Sequence, residues 1–283
     1  MKRTMLIAVM LVLTLVVVTT PEALAKKGKV DIAYVEWACA VASANVIKAV
    51  LQEKLGYEVE LTSVSAAAMW QAIASGDVDG MTTAWLPVTH GHYLERFQDK
   101  LEDLGPNLDG AGIGLVVPAY VTIDSIEEMN ANAGKFDGRI VGIDPGAGIM
   151  SKTEEAIKSY GLKNFTLVES TGAMMTAVLQ DKIRNKEWVV VTGWSPHWKF
   201  AKWDLKYLKD PKAVYGGSEQ IHTIVRKGLK ADMPEVYHVL DNFSWGLPDI
   251  GEVQAWNAEG ADPYDSGKRW IAENPDQVKA WLP

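Results

Sequence analysis

The sequence has only one cysteine, Cys39, among its 283 residues. An internal disulfide needs two cysteines, so a disulfide framework is excluded as the source of stability. The sequence after its amino-terminal segment also lacks the G-x-S-x-G, H-E-x-x-H and Walker patterns of hydrolases, zinc proteases and nucleotide-binding proteins. The fold must therefore rest on its hydrophobic core, and no motif for hydrolysis or nucleotide binding is found after the amino-terminal segment.

Basic side chains are scarce relative to acidic ones. The chain has 28 Lys and Arg residues against 36 Asp and Glu residues, and its net charge is −8. Nucleic acids and anionic membrane surfaces both favour proteins with basic patches. The acidic balance therefore argues against either as a partner, although it says nothing about a small ligand.

A long apolar run stands at the amino end. Lys2 and Arg3 precede an apolar stretch over residues 7–18, and Ala23 and Ala25 are small residues at the positions that a signal peptidase reads. The stretch is about a dozen residues, short of the roughly 20 that cross a bilayer as a helix. We therefore expect a cleavable signal peptide over residues 1–25, export to a periplasm, and a soluble mature protein.

Strand-like and helix-like runs alternate through the rest of the chain, which is typical of parallel α/β structure. Strand patterns cover residues 30–35, 59–64, 78–85, 112–121, 139–143, 165–168, 188–191 and 221–225. Helical patterns cover residues 41–55, 66–74, 93–101, 125–132, 149–160 and 172–183.

Two α/β lobes fit this pattern better than one continuous sheet. We predict that residues 26–117 and 214–283 form one lobe and that residues 118–213 form the other. The chain would cross between them near residues 116–120 and return near residues 214–222. A ligand cleft is then expected between the lobes.

Tryptophan is unusually frequent, with eleven residues against nine tyrosines and five phenylalanines. Trp37, Trp85 and Trp194 each follow a predicted strand, and the carboxyl ends of parallel strands face the ligand crevice. A quaternary ammonium has no N–H to donate, so it is recognised by aromatic faces, at ~0.5 to 2 kcal/mol per contact. We expect these three rings to converge on such a cation, with Trp245 in the returning segment as a further wall.

Most of the other tryptophans are expected to serve packing. Tryptophan is more often a core or interface residue than a ligand contact. This interpretation applies to Trp70, Trp188, Trp203, Trp256, Trp270 and Trp281, whereas Trp198 remains open because it follows Trp194 by four residues.

Five segments together resemble the glycine betaine/proline betaine-binding proteins of ABC importers: residues 35–37, 84–87, 142–149, 193–198 and 217–227. They occur in order over nearly the whole chain after residue 25. The resemblance implies a type II, two-lobed periplasmic binding protein fold that closes over its ligand and delivers it to a permease and an ATPase. It also implies an aromatic cage of Trp85, Trp194 and Trp245, with Trp37 as a plausible fourth wall.

The carboxylate of such a ligand needs N–H donors, which a helix start supplies. The first candidate, which the resemblance favours, is formed by the backbone amides of Ala38, Cys39 and Ala40. The second is formed by Gly146, Ala147 and Gly148, where the glycines can equally serve a tight turn. His197 and Tyr120 are further possible ligand contacts, and a structural role stays open for His197.

The choline-binding relatives of this family carry an aspartate shortly after the first cage tryptophan. Residues 38–40 hold no acid, and the nearest one is Glu36. The site should therefore favour a zwitterion over a simple cation. A choline-binding protein of the same fold remains the alternative ligand assignment, and a sensor receptor instead of a permease remains an alternative partner.

A periplasmic enzyme acting on small methylated compounds is the rival of a different class. His90 and His92 form an H-x-H pair, but no further ligand stands at companion spacing, so a solvated helix start is the favoured interpretation. Cys39 has no predicted base beside it. We predict no catalytic residue, no metal and no cofactor, and a monomeric protein.

Overall fold

The computed structural model describes residues 27–283, so the predicted signal peptide lies outside the described residues. Their strands are β1 Lys29–Tyr34, β2 Glu58–Ser63, β3 Gly80–Leu86, β4 Leu101–Pro118, β5 Arg139–Val141, β6 Thr166–Val168, β7 Val191–Ser195, β8 Leu205–Tyr207 and β9 Glu219–Arg226. Their α-helices are α1 Ala38–Glu53, α2 Ala66–Ser75, α3 Gly91–Phe97, α4 Gly148–Ser159, α5 Gly172–Arg184, α6 Lys199–Lys202, α7 Leu229–Asp232, α8 Pro234–Asn242, α9 Leu247–Ala258, α10 Pro263–Glu273 and α11 Pro275–Trp281.

The strands run in the order β2-β1-β3-β9-β4-β7-β5-β6, with β8 on β4. The long strand β4 belongs to two sheets. It pairs with β9 from Leu101 to Ala111 and with β7 from Gly112 to Val116. We call the part built on β1, β2, β3, β9 and the start of β4 the first lobe, and the part built on β5 to β8 and the end of β4 the second lobe.

The predicted α/β class and the two-lobed architecture with a cleft between the lobes agree with this arrangement. β1 pairs in parallel with both β2 and β3, as expected for strands that are joined by crossover helices. Helices α9 and α10 pack against α1, which is buried along most of its length. The pairing of β4 changes at Ala111–Gly112, earlier than the predicted crossing near residues 116–120.

Several local predictions were wrong. Residues 101–111 form the first half of β4, although Pro106 and its neighbouring glycines gave no strand pattern; the strand passes them with irregular register against β9. Residues 125–132 form no α-helix, since the short helices Ile126–Glu128 and Asn130–Phe136 are both 3-10 helices. The strand expected over residues 188–191 is Val191–Ser195, so Trp194 lies within a strand.

None of the helices in residues 27–283 combines the length and the apolar character that crossing a bilayer requires.

Candidate functional site

A cavity lies between the two lobes and draws its walls from both. The first lobe contributes Trp37, Cys39, Trp85, Thr89 and His90. The second lobe contributes Ile113, Ile143, Ala147, Gly148, Ile149 and Trp194. The cavity is therefore formed by the ends of β1, β3 and β7 and by the start of α4.

Three tryptophans meet at this cavity, and all are almost fully buried. Trp37 is the residue before α1, Trp85 is the sixth residue of β3, and Trp194 is the fourth residue of β7. The structure thus brings together the three rings that the sequence pattern grouped. Trp85 and Trp194 lie within the last residues of their strands, not after them.

Trp245 lies elsewhere. It stands between α8 and α9, where its ring centroid is 5.4 Å from that of Phe243 and 5.8 Å from that of Trp270. Its backbone N–H donates to the carbonyl of Asn107 at 3.0 Å. Trp245 is absent from the walls of the cavity. We therefore leave it out of the proposed site and assign it to packing among the helices of the first lobe.

His90 is a cavity residue that the sequence analysis misjudged as part of a solvated helix start. Its side chain is fully buried and stacks on Trp37 with 5.8 Å between ring centroids. The backbone N–H of Trp85 donates to Nδ1 of His90 at 3.0 Å. A ring nitrogen that accepts a hydrogen bond carries no proton, so the neutral ring is protonated at Nε2.

The Nε2–H of His90 is a donor without a partner among residues 27–283. Burial, assisted by the charge of His92, lowers the pKa of His90 to about 3, so the ring is neutral at physiological pH. A buried donor without a partner is costly unless a ligand accepts from it. The sequence signal for this contact is the spacing of His90, which follows Trp85 by five residues across a tight turn. That spacing brings the histidine back to the cage tryptophan.

The two candidate carboxylate sites differ in their relation to this cavity. Among the first, only Cys39 lines it; Ala38 lines a neighbouring cavity and Ala40 lines neither. Ala147 and Gly148 of the second candidate line the cavity together with Ile149. No side chain caps the start of α4, so its first backbone N–H groups are open to a ligand.

The remaining candidates lie outside the cavity. The Gly146 carbonyl accepts a hydrogen bond from the hydroxyl of Tyr93 at 3.0 Å. The hydroxyl of Tyr120 donates to the carbonyl of Glu187 at 2.7 Å. His197 lines the neighbouring cavity of about 340 Å³, and its Nδ1 accepts from the backbone N–H of Lys199 at 3.1 Å.

The lobes are in close contact beside the cavity. A Cβ placed on Gly148 of the second lobe would lie 2.1 Å from the carbonyl oxygen of Thr89 in the first lobe. The hydroxyl of Tyr93 reaches Gly146 across the same boundary. The backbone N–H groups of Val88 and Thr89 both donate to the buried carboxylate of Glu219, at 2.9 and 2.7 Å, and this holds their segment of the first lobe in place. The structure is therefore a closed one.

The chemistry of the cavity is limited. Burial raises the pKa of the Cys39 thiol to about 11 and lowers that of His90 to about 3. Within residues 27–283 no group of three or more His, Cys, Asp and Glu side chains is arranged to hold a metal ion. The arrangement suits a molecule with a methylated cationic end against indole rings and an anionic end against N–H donors.

Comparison with known proteins agrees with this chemistry. Glycine betaine/carnitine transport binding protein GbuC of Listeria monocytogenes is 54% identical over 144 residues, which are 50% of this chain and 48% of that protein. The chain thus spans about half the length of this curated relative.

Solved structures match over more of the chain. Lactococcal OpuAC, in its closed conformation complexed with glycine betaine, is 43% identical with a TM-score of 0.87, covering 91% of this chain and 100% of that one. ProX of Borrelia burgdorferi, a glycine betaine, L-proline ABC transporter binding protein, is 40% identical with a TM-score of 0.87, covering 90% and 97%.

A more distant relative is an ABC-transporter choline binding protein in complex with choline, 27% identical with a TM-score of 0.84, covering 89% of this chain and 91% of that one. The family described as the substrate binding domain of ABC-type glycine betaine transport systems matches residues 28–273. Since that match spans most of the sequence, the chain belongs to this family of substrate-binding domains.

Proposed function

We propose that the chain is the extracytoplasmic solute-binding subunit of an ABC importer and that it captures glycine betaine or a closely related methylated zwitterion. The permease and the ATPase would be separate polypeptides, and the protein would act as an exported monomer. The observation that carries the ligand assignment is that one cavity is lined by Trp37, Trp85 and Trp194 together with His90, whose Nε2–H has no partner among residues 27–283.

The trimethylammonium group would lie among the three indoles. Their faces attract a cation that cannot donate hydrogen bonds, and tryptophan is the strongest provider of such contacts. Trp37 and Trp85 belong to the first lobe and Trp194 to the second. A ligand in this cage touches both lobes, so it stabilises the closed state through contacts that the open state lacks.

The carboxylate would accept from the Nε2–H of His90 and from the backbone N–H groups at the start of α4. Gly148 and Ile149 begin that helix and line the cavity. A helix start favours an anion through its free N–H groups and its dipole. We therefore move the proposed carboxylate site from residues 38–40 to residues 148–149 with His90, keeping Cys39 as an apolar wall residue.

The division of the chain into lobes supports this mode of closure. We propose residues 27–111 with 214–283 as one lobe and residues 112–213 as the other, which moves the predicted boundary from residue 117 to Ala111–Gly112, where β4 changes partner. A periplasmic enzyme is the weaker reading, since a general base should titrate near the working pH and the pKa values of Cys39 and His90 lie far from it.

Isothermal titration calorimetry with glycine betaine and choline tests the proposal. We expect the wild-type protein to bind glycine betaine more tightly than choline, and Trp194→Ala to weaken glycine betaine binding by roughly tenfold or more. Trp256→Ala is the control, because Trp256 lies outside the cavity on α9. Tight choline binding without glycine betaine binding would contradict the ligand assignment.

A further inference from the structure

The buried side chain of Lys199 contacts the cage residue Trp194 but takes no part in the proposed ligand contacts. It is the first residue of α6 and is fully buried. Its Nζ lies 4.3 Å from the centroid of the Trp194 ring and finds no hydrogen-bond acceptor within residues 27–283. Lys199 itself does not line the cavity, whereas the Trp194 ring that its amine contacts does.

Nothing described around Lys199 neutralises a charge on its amine. The titratable groups that face it are the thiol of Cys39 on α1 and the ring of His197 in the turn before α6. Burial raises the pKa of Cys39 to about 11, and burial together with Lys199 lowers that of His197 well below its usual value, so both are neutral. β7 contributes backbone, with Gly193 against the lysine stem.

The amine can therefore exist in two forms near neutral pH. Burial lowers the pKa of Lys199 to about 7, because the charged form is poorly solvated among apolar groups. When protonated, it is a cation over the indole that the proposed ligand cation also uses. When the amine is neutral, the ligand is the only cation against the electron-rich ring.

We propose that Lys199 sets the charge selectivity of the cage by disfavouring a net cation such as choline more than a zwitterion such as glycine betaine. This inference rests on the proposed function. Two cations that each lie within about 6 Å of one ring centroid are at most about 12 Å apart, and at an effective dielectric constant of about 20 their repulsion lowers affinity on the order of tenfold. The carboxylate of a zwitterion offsets part of that repulsion, so its affinity falls by only a few-fold.

The inference adds a second source of selectivity to the site. The sequence lacks an acid over residues 38–40, which removes an attraction for cations. The structure adds a buried amine in contact with Trp194, which supplies a repulsion when it is protonated. Selectivity built from an unfavourable contact with the wrong ligand is a general device of specific binding sites.

The test is the affinity ratio of choline to glycine betaine in wild type, Lys199→Met and Lys202→Met. Methionine keeps the length of the lysine stem and removes the amine. Lys202 is the matched control, because it lies on the same helix, is exposed, and has its Nζ 5.4 Å from the centroid of the Trp198 ring. Titration calorimetry at pH 6 and pH 8.5 measures both ligands, with choline displaced by glycine betaine where its binding is weak.

We expect Lys199→Met to raise the ratio about threefold to tenfold at pH 6 and by less at pH 8.5, where the wild-type amine is neutral. Lys202→Met should leave the ratio at its wild-type value. The wild-type ratio itself should rise between pH 6 and pH 8.5, which provides a test that needs no variant if Lys199→Met fails to fold.

Two failures are distinguishable. If wild-type protein binds neither ligand, the proposed function is overturned and this inference with it. If wild type binds glycine betaine but Lys199→Met leaves the choline ratio unchanged, or the wild-type ratio is the same at both pH values, only the role of Lys199 is overturned.

Discussion

The indole N–H of Trp37 donates a hydrogen bond to the carboxylate of Asp144 across the boundary between the lobes, with 3.3 Å between Nε1 and Oδ2. Trp37 follows β1 in the first lobe, and Asp144 follows β5 in the second. A bond between separate lobes exists only when they are closed, so it contributes to closure and orients one wall of the cage at the same time.

Replacing Asp144 with alanine should therefore weaken ligand binding, although Asp144 itself is not a proposed ligand contact. A partly buried hydrogen bond contributes about 0.5 to 1.5 kcal/mol, so we expect a twofold to tenfold loss of glycine betaine affinity in calorimetry. Asp137→Ala is the control, because Asp137 is exposed and pairs with Lys182 at the surface. An equal loss in both variants would show that the effect is not local.

Gly148→Ala should prevent closure. Its Cβ would lie 2.1 Å from the carbonyl oxygen of Thr89, a distance that the backbone cannot accommodate unless the lobes move apart. We expect at least a tenfold loss of glycine betaine affinity and a larger radius of gyration in X-ray scattering with saturating ligand.

The matched control is Gly251→Ala. Gly251 lies in α9 and has no atom within 4 Å of an added Cβ, so alanine should leave affinity unchanged and raise stability by ~0.5 to 1 kcal/mol. Wild-type affinity and wild-type compaction in Gly148→Ala would mean that the contact with Thr89 does not limit closure.

The sequence made the position of three cage residues predictable for a physical reason. Trp37 and Trp85 stand at the ends of the parallel strands β1 and β3 in the first lobe, and Trp194 stands at the end of β7 in the second, so all three face the cleft between the lobes. Trp245 is assigned to the cage by resemblance and does not follow a predicted strand; its ring packs against Phe243 and Trp270. The local sequence pattern does not show which residues the Trp245 ring contacts in the folded protein.

The position of His90 in the cavity was not predicted from the sequence, for a related reason. A histidine beside a glycine at a helix start has the pattern of a solvated residue. Its burial comes from stacking on Trp37 and from edge-on contacts with Trp70 and Tyr93. The same limit applies to residues 101–111, where irregular pairing with β9 outweighs the weak strand propensity of a proline and two glycines.

His90→Phe tests the proposed carboxylate donor. Phenylalanine keeps an aromatic ring against Trp37 and removes the Nε2–H, so glycine betaine affinity should fall about tenfold while choline affinity changes much less. Calorimetry with both ligands measures the difference. A parallel loss for both would indicate a damaged cage instead of a missing donor.

The pH dependence of wild-type stability provides a second test, which concerns the burial of His90 in its neutral form. Its folded-state pKa of about 3 lies below the ordinary 6.5, so the unfolded chain binds a proton more readily. The stability due to neutral burial is therefore complete above pH 6.5 and is lost as the pH falls from 6.5 towards 3. His90→Phe should therefore lose less stability than wild type between pH 7 and pH 5, as measured by urea unfolding, with the buried His197 contributing equally to both proteins.

Trp245→Ala separates packing from binding. Truncation of a buried tryptophan costs about 3 to 5 kcal/mol, so the free energy of unfolding should fall by that amount. Glycine betaine affinity at a temperature where the variant remains folded should stay at the wild-type value. Trp245→Phe, which retains part of the packing, provides the same comparison if the alanine variant is too unstable; a tenfold loss of affinity in either would return Trp245 to the site.

Lys199→Met should stabilise the protein, and the pH dependence of that gain identifies its cause. The folded-state pKa of about 7 lies below the ordinary 10.5, so between those values the unfolded chain holds a proton that the folded chain does not. Stability is therefore lost as the pH falls from 10.5 to 7, and the penalty is constant below 7. Removing the amine should recover on the order of 2 to 4 kcal/mol at pH 7 and little at pH 10.5, as measured by urea unfolding. A gain that is the same at both pH values would point to better packing of methionine and not to the removal of a buried charge.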